Sequence, residues 1–398
     1  MTTGTRTRLP GPTAPAARAL GPDLARGFML LFIALANTHY FLRGPVLGGY
    51  PRDGSAVDSA VTWLLSTFVD GRAFPMFGLL FGYGVARIAS RQEARGPWGV
   101  RLLLWRRSLV LVLVGLVDAL LFYVGDILTA YGVLLFLGAW VVRWKDRWLL
   151  LIAAGLLIVT ALPSGDSATV SPAGPDTAML PPDLSGMLAD RAPAAAFVAL
   201  LGPLGFVCPF LVGLWAGRRR ILEQVEQHRR LLGVTALAGI GAAVLGAQPV
   251  ALTLAGAIDP AGHQALEWAA SLHDTTGVLG GFGYAALLAL IAARLQTRRR
   301  PLVDAIAATG QRSMTCYLMQ SVTWTVVFAP FLLDLSGTLT VATTALLATA
   351  TWALTVVVAD RMRRAGRRGP FEVLIRRVTY GRGLHIRGEE SAGAPKPS

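Results

Sequence analysis

Short basic clusters cut the chain into runs of roughly 17 to 25 apolar residues, each long enough as a helix to cross a hydrocarbon core of about 30 Å. No other feature constrains the fold as strongly. Backbone in lipid must satisfy its own polar groups, and runs of this length do so as helices. Of the 398 residues, 54% are hydrophobic and 15% charged, a balance that excludes a soluble globular protein. The expected fold class is therefore all-α: a polytopic transmembrane helical bundle of about ten spans.

The spans are expected at roughly 24–42, 73–90, 104–123, 126–142, 147–162, 196–216, 231–256, 276–294, 311–333 and 338–359. An even number places both termini on one side, and the charges say which. Of the 37 Lys and Arg residues, only Arg43, Arg52, Arg72 and Arg191 fall on the opposite side, so both termini are expected to be cytoplasmic. Residues 1–22, rich in Pro, Ala, Thr and Arg, are expected to be a disordered cytoplasmic tail; 23–360 form the transmembrane helical domain; 361–398 form a basic cytoplasmic tail. The net charge of +14 belongs to loops that fix topology at an anionic lipid surface, and the lipid bilayer, not nucleic acid, is the expected partner. The outer side is acidic. Its largest loop, about 163–195, carries Asp166, Asp176, Asp183 and Asp190 among Pro, Ser and Gly, and is expected to be irregular. The segment 43–72 is also expected outside, with a helix over 56–69 lying along the membrane surface or dipping into it. Gly78-xxx-Gly82 and Gly213-xxx-Gly217 allow close helix contact. Cys208 and Cys316 lie in apolar runs far apart and are expected to pack rather than react.

Four places hold polar groups that a lipid-facing helix would not choose. In the first span Arg26 and Asn37 share one face, about three turns apart, while His39 is rotated away near the outer surface. A packing role for Asn37 and an interface role for Arg26 compete with a functional one. Second, Asp70 and Arg72 stand at the entrance of a glycine-rich span, with Pro75 suited to a first helical turn; they either pair or face a cavity. Third, Asp118 interrupts an apolar run about 10 Å below a turn at Gly125, where an acid must be protonated, paired or hydrated. Its expected partner is Arg72 or Tyr317, and Asp126, following the glycine, reads as a helix cap. Fourth, Ser313, Tyr317, Gln320, Ser321 and Trp324 recur at helical spacing as one polar stripe that must face the bundle. No phosphate-binding loop, HExxH or GxSxG motif occurs, and His263 and His273 with Glu267 and Asp274 match no metal-ligand spacing, so no metal is expected.

Several stretches resemble the YeiB-like family of bacterial integral membrane proteins, whose function is not established. They are Asp23-Leu24-Ala25-Arg26-Gly27-Phe28 with Asn37, DGRAFPMFGLLFGYG from Asp70, GDILTAY (Gly125 to Tyr131), GQRSMTCYLMQS from Gly310 and GPFEVLIRRVTY from Gly369, in the family's order over most of the chain. The resemblance implies a multi-pass protein of the bacterial plasma membrane. It also implies a distant similarity to membrane acyltransferases, which move an acyl group from a cytoplasmic donor, often acetyl-CoA, to an acceptor on or beyond the membrane. The chain departs from those patterns twice. Asn37 stands eleven residues after Arg26, where acyltransferases of the bacterial O-acyltransferase type carry histidine, and Asp118 stands where YeiB-like sequences usually do.

Two functional classes follow, with a non-catalytic envelope protein as a third. In an acyltransferase, His39 or Asp118 is the general base toward a hydroxyl or amine of a lipid or glycan acceptor, acetyl-CoA or another acyl-CoA is the donor, and Arg72 or Arg312 holds anionic groups. Arg26, Asn37, Asp70, Asp126, Tyr131, Ser313, Tyr317 and Gln320 then bind substrate or line the cavity. In a proton-coupled transporter of a small molecule, Asp118 is the coupling site and the polar stripe lines the path. Oligomeric state is left open.

Overall fold

A computed structural model of the protein describes residues 20–165, 167–259, 262–296 and 300–380. Among these it is almost wholly helical. The helices are α1 (Leu20–Thr38), α2 (Ala56–Phe68), α3 (Ala73–Arg91), α4 (Gly96–Leu121), α5 (Leu128–Val141), α6 (Asp146–Thr160), α7 (Leu184–Arg218), α8 (Arg229–Leu254), α9 (His263–Leu295), α10 (Pro301–Gln311), α11 (Ser313–Phe328), α12 (Val341–Arg364) and α13 (Pro370–Tyr380). The two strands described are a two-residue pair, β1 (Val46–Leu47) against antiparallel β2 (Tyr50–Pro51). Among the described residues, six helical stretches are long and apolar enough to cross a membrane: 20–41, 56–91, 184–218, 229–254, 263–295 and 341–364.

The helices pack through small residues. α3 meets α7 where Gly82 abuts the Phe210 and Leu214 backbone and where Gly213 and Gly217 abut α3: a Cβ on Gly217 would lie 2.7 Å from the Tyr83 carbonyl oxygen, and one on Gly213 would run into the Leu79 backbone. Only glycine lets two backbones approach this closely without a hydrophobic drive between helices in lipid. The same device joins α8 to α9 at Gly239 and Gly283, and α1 to α10 at Gly27 and Gly310. Inside, Met29, Leu30, Ile33, Met76, Leu135 and Leu214 form one continuous core. Outside, Leu237 is 81% exposed, Leu245 75% and Leu200 73%, an apolar surface that water would not tolerate and lipid would.

Four expected boundaries differ. α7 begins at Leu184, not near 196, so the second part of the supposed outer loop is helix; Asp183 caps it by accepting the Gly186 amide at 2.7 Å. Pro193, which argues for a loop in water, sits inside this helix. α9 begins at His263 rather than near 276, because Glu267 and His273 find partners on other segments. The stretch 295–310, expected as an inner loop, contains α10, and the expected ninth span is α11, which starts at Ser313 but ends at Phe328 rather than near 333. The 163–195 loop holds a single 3-10 turn (Ala168–Val170) before α7. The helix expected over 56–69 is α2, started by a Ser55/Asp58 capping box. Asp166 and most of the two tails lie outside the described residues.

Candidate functional site

At one end of the bundle the first turn of α1, the ends of α3 and α12, the start of α13 and the α10–α11 break surround a cavity of about 560 Å³. Nine of its lining residues are arginine and three, Asp23, Glu223 and Glu372, are acidic. Exposed Arg367 and Arg368 stand at its rim, while Leu30, Phe77, Leu80, Phe81, Leu111 and Leu128 form its apolar inner part. The cationic wall is held in place by ties to backbone and acids. Arg87 pairs with Glu223 at 2.9 Å, Arg26 lies 3.6 Å from Asp23 and donates to the Leu80 carbonyl at 3.3 Å, and Arg312 donates to the carbonyls of Ala308 at 3.1 Å and Arg367 at 2.6 Å. Glu372, on α13, accepts the Met314 and Thr315 amides at 2.9 and 3.1 Å and the Thr315 hydroxyl at 2.6 Å, so one carboxylate covers the amino end of α11. Arginine forks in a partly enclosed site suit a phosphate-bearing ligand, and the apolar inner part suits its hydrocarbon.

Tyr317 lines the inner end of this cavity and leads to a buried polar column. Its hydroxyl accepts the Ile127 amide at 3.3 Å and interacts with the Asp126 carboxyl. Asp126 also accepts the Thr129 amide at 3.0 Å and hydroxyl at 3.3 Å, capping α5. Beside it, Asp118 of α4 accepts the Ser321 hydroxyl at 2.8 Å. Ser321, rather than Arg72 or Tyr317, is thus its direct partner, with the Arg191 guanidinium acting on it electrostatically. Next to this pair, Tyr123 donates to Asn37 at 3.0 Å, and Asn37 donates to the Ile33 carbonyl at 2.8 Å.

A third cluster lies where the 3-10 turn His39–Phe41, β2, the α2–α3 corner and α9 meet. His39 is 1% exposed, stacked on Tyr50 at 4.0 Å, and Tyr50 donates to the Asp70 carboxylate at 2.5 Å. Arg72 and Asp70 do not pair through their side chains. Instead the fully buried guanidinium donates to the Asp70 carbonyl, to the Ala243 carbonyl at 2.8 Å and to His273 Nε2 at 2.7 Å. Because a guanidinium can only donate, Nε2 accepts and the ring proton is on Nδ1, 3.2 Å from Asp274 Oδ1; the Ser66 carbonyl, 3.1 Å from Nε2, then receives no proton from it. Gly71, at φ +72°, turns the corner, and a Cβ there would lie 3.1 Å from the same imidazole.

The cavity therefore collects Arg26, Arg312, Ser313 and Tyr317. Asn37, Asp118, Asp126, Tyr131 and Gln320 lie inside the bundle, and His39, Asp70 and Arg72 in the third cluster. Tyr131 packs edge-on against Phe77 at 4.4 Å and donates to the Phe74 carbonyl at 3.3 Å; Gln320 donates to the Leu30 carbonyl at 3.1 Å. Sequence reasoning missed the cavity roles of Arg87, Glu223 and Glu372 and the burial of Arg191 and His273. For Arg191 a signal existed, since it was one of four arginines expected on the acidic outer side. Among the described residues no group of three or more His, Cys, Asp or Glu side chains could hold a metal.

Long apolar helices, small-residue seams and a lipid-compatible surface define a membrane-embedded helical protein with a cationic cavity at one end. Residues 216–382 match DUF418, a family of proteins of unknown function that includes the YeiB-like proteins. The uncharacterised protein YxaH of Bacillus subtilis (strain 168) is 26% identical over 399 residues, covering 90% of this chain and 93% of that one. An uncharacterised 39.9 kDa protein from the amylase 3′ region of Bacillus acidopullulyticus is 38% identical over 112 residues, 28% of this chain and 30% of its own.

Proposed function

We propose that the protein binds an acyl-CoA or a similar phosphate-bearing acyl donor in the arginine-lined cavity and transfers the acyl group to a lipid or glycan acceptor. The observation that carries this reading is the cavity itself, with nine arginines around an apolar inner part. Arg26 and Arg312 hold the donor's anionic groups, and the acyl chain lies toward Phe77, Phe81 and Tyr317. Asp118, reached through Tyr317 and Asp126, is the general base at that end; His39, in the separate third cluster, is left to the acceptor's side. The setting is a bacterial plasma membrane crossed about ten times, with both termini and the cavity on the cytoplasmic side, where arginine-rich segments collect. Calorimetric titration of the protein in nanodiscs with acetyl-CoA and longer acyl-CoAs tests binding, and radiolabelled acetyl-CoA tests transfer. Saturable binding and labelled lipid or glycan are expected; absence of CoA binding at low ionic strength refutes the reading. Reporter fusions after Ala173 and after the last residue test the orientation, with only the latter expected in the cytoplasm.

A proton-coupled transporter is the second reading, favoured by two acids buried in the middle of the bundle. It requires substrate flux in proteoliposomes that follows an imposed pH gradient.

A further inference from the structure

Asp118 and Asp126 are both 0% exposed, one on α4 and one in the turn before α5. On each, one oxygen is satisfied: Asp118 Oδ2 by Ser321, Asp126 Oδ2 by Thr129. On each, the other oxygen, Oδ1, is buried and makes no hydrogen bond among the described residues; the two carboxyl groups lie side by side, close enough to share a hydrogen bond, and the Leu128 amide and Tyr317 hydroxyl also act on Asp126. Two ionised carboxylates are acceptors only, so this contact bonds only when one of them carries a proton.

The surrounding groups supply no substitute. From α7, Arg191 commits Nε to the Ala178 carbonyl at 3.0 Å and Nη1 to the Leu120 carbonyl at 3.5 Å, acting on Asp118 at a distance. From the α4–α5 turn, Tyr123 gives its proton to Asn37 of α1. From α11, Tyr317 and Ser321 reach one acid each, and the first turn of α5 contributes Thr129 and the Leu128 amide, both to Asp126. Without a cation between them, two charges in contact in a low-dielectric interior repel strongly, and a shared proton removes that repulsion.

We infer that Asp118 and Asp126 hold one proton between them as a resident proton site, which exchanges with the cavity through the Tyr317 hydroxyl. The site makes no assumption about the donor: it stands whether the cavity takes CoA or another anion, and its test contains neither. The pair is an internal proton store on α4 and α5, and Tyr317 is its one hydroxyl contact that also lines the cavity.

Infrared spectroscopy of the protein in nanodiscs reads the proton directly. At neutral pH the wild type should show the C=O stretch of a protonated carboxyl, shifted when aspartate is labelled with ¹³C, and unaffected by sodium. Asp118→Asn and Asp126→Asn should each abolish it, since the new amide donates to the remaining acid's open oxygen and keeps the fold, which circular dichroism checks. A wild type without the band, a band that appears only when sodium is removed, or a band that survives both substitutions overturns the shared proton. Because labelled wild type alone can give the first two outcomes, the inference does not depend on the variants folding. Tyr317→Phe should keep the band but slow its hydrogen–deuterium exchange several-fold; an unchanged rate overturns the route through Tyr317.

Discussion

Arg72 is the residue whose loss the structure makes most costly. Its guanidinium is fully buried and ties three segments together: the α2–α3 corner through the Asp70 carbonyl, α8 through Ala243, and α9 through His273. If these were ordinary interhelical bonds, at an average of about 0.6 kcal/mol each in a membrane protein, Arg72→Ala would cost about 2 kcal/mol. The charge makes the difference. The Asp70 carboxylate, with one oxygen buried, lies in the field of Arg72, whereas Asp274 is 37% exposed and screened by water; removing one partner of a buried charge pair costs about 3–5 kcal/mol because the other is left uncompensated. Arg72→Ala should therefore lose about 3–5 kcal/mol, whereas His273→Ala, which leaves one buried guanidinium N–H without its acceptor, should lose about 1–3 kcal/mol. Reversible unfolding in mixed detergent and SDS micelles, followed by tryptophan fluorescence, measures both. Asp70→Asn placed in the Arg72→Ala background should restore part of the loss, since it removes the stranded charge. A cost for Arg72→Ala of no more than about 2 kcal/mol, or no recovery with Asp70→Asn, refutes the charge argument and leaves Arg72 as a plain hydrogen-bond donor.

Other consequences follow from particular contacts. Gly213→Ala pushes a methyl into the Leu79 backbone and should destabilise the α3–α7 seam by about 1–3 kcal/mol, while Gly155→Ala, with nothing near its Cβ, should change the thermal midpoint little. Ligand affinity in the cavity should fall with ionic strength and be weakened by Arg368→Ala at its exposed rim, and titrations at low and high salt check both. Cys208 and Cys316 are buried and should react with maleimide only after unfolding. The Asp183 carboxyl lies below its usual range because the Ser185 hydroxyl and the Gly186 amide donate to it. Its contribution is thus present above the ordinary carboxylate range and lost as pH falls through its lowered value. In acid the first turn of α7 should fray, seen as faster amide exchange at Gly186 relative to its intrinsic rate.

The glycine seam between α3 and α7, the helix start before Pro75 and the cap at Asp126 were legible because each depends on residues a few positions apart. The start of α9 was not. His263 to Asp274 reads as a polar outer loop until Glu267 is seen to accept the Gly165 amide at 3.2 Å and His273 to accept from Arg72, contacts separated by 102 and 201 residues. The candidate site was legible by halves for the same reason. Arg26, Arg312, Ser313 and Tyr317 stood out as polar groups within or beside apolar runs. Arg87 and Glu372 sit near helix ends and Glu223 in the α7–α8 turn, where a charged residue already has a sufficient explanation in membrane topology, and only the packing of α1, α3, α4 and α13 turns them toward one cavity.

Glu372 shows how that convergence is held. It reaches from α13 to the first turn of α11, where amide hydrogens and the helix dipole favour a negative charge by about 0.3–1 kcal/mol, and its bonds to two amides and a hydroxyl are of the charge-assisted kind, worth about 1.5–3 kcal/mol. Glu372→Gln keeps the shape but removes the charge and one acceptor, so α13 should detach more often from the cavity wall. The α13 amides should then exchange about tenfold faster for each 1.4 kcal/mol lost, by mass spectrometry of the protein in nanodiscs, with α8 and α9 unchanged as internal controls. Exchange in α13 as slow as in the wild type would mean that Ile375 and Thr379, both buried, hold the helix by packing alone. The carboxylate would then be a helix cap and not the latch that closes the cationic cavity.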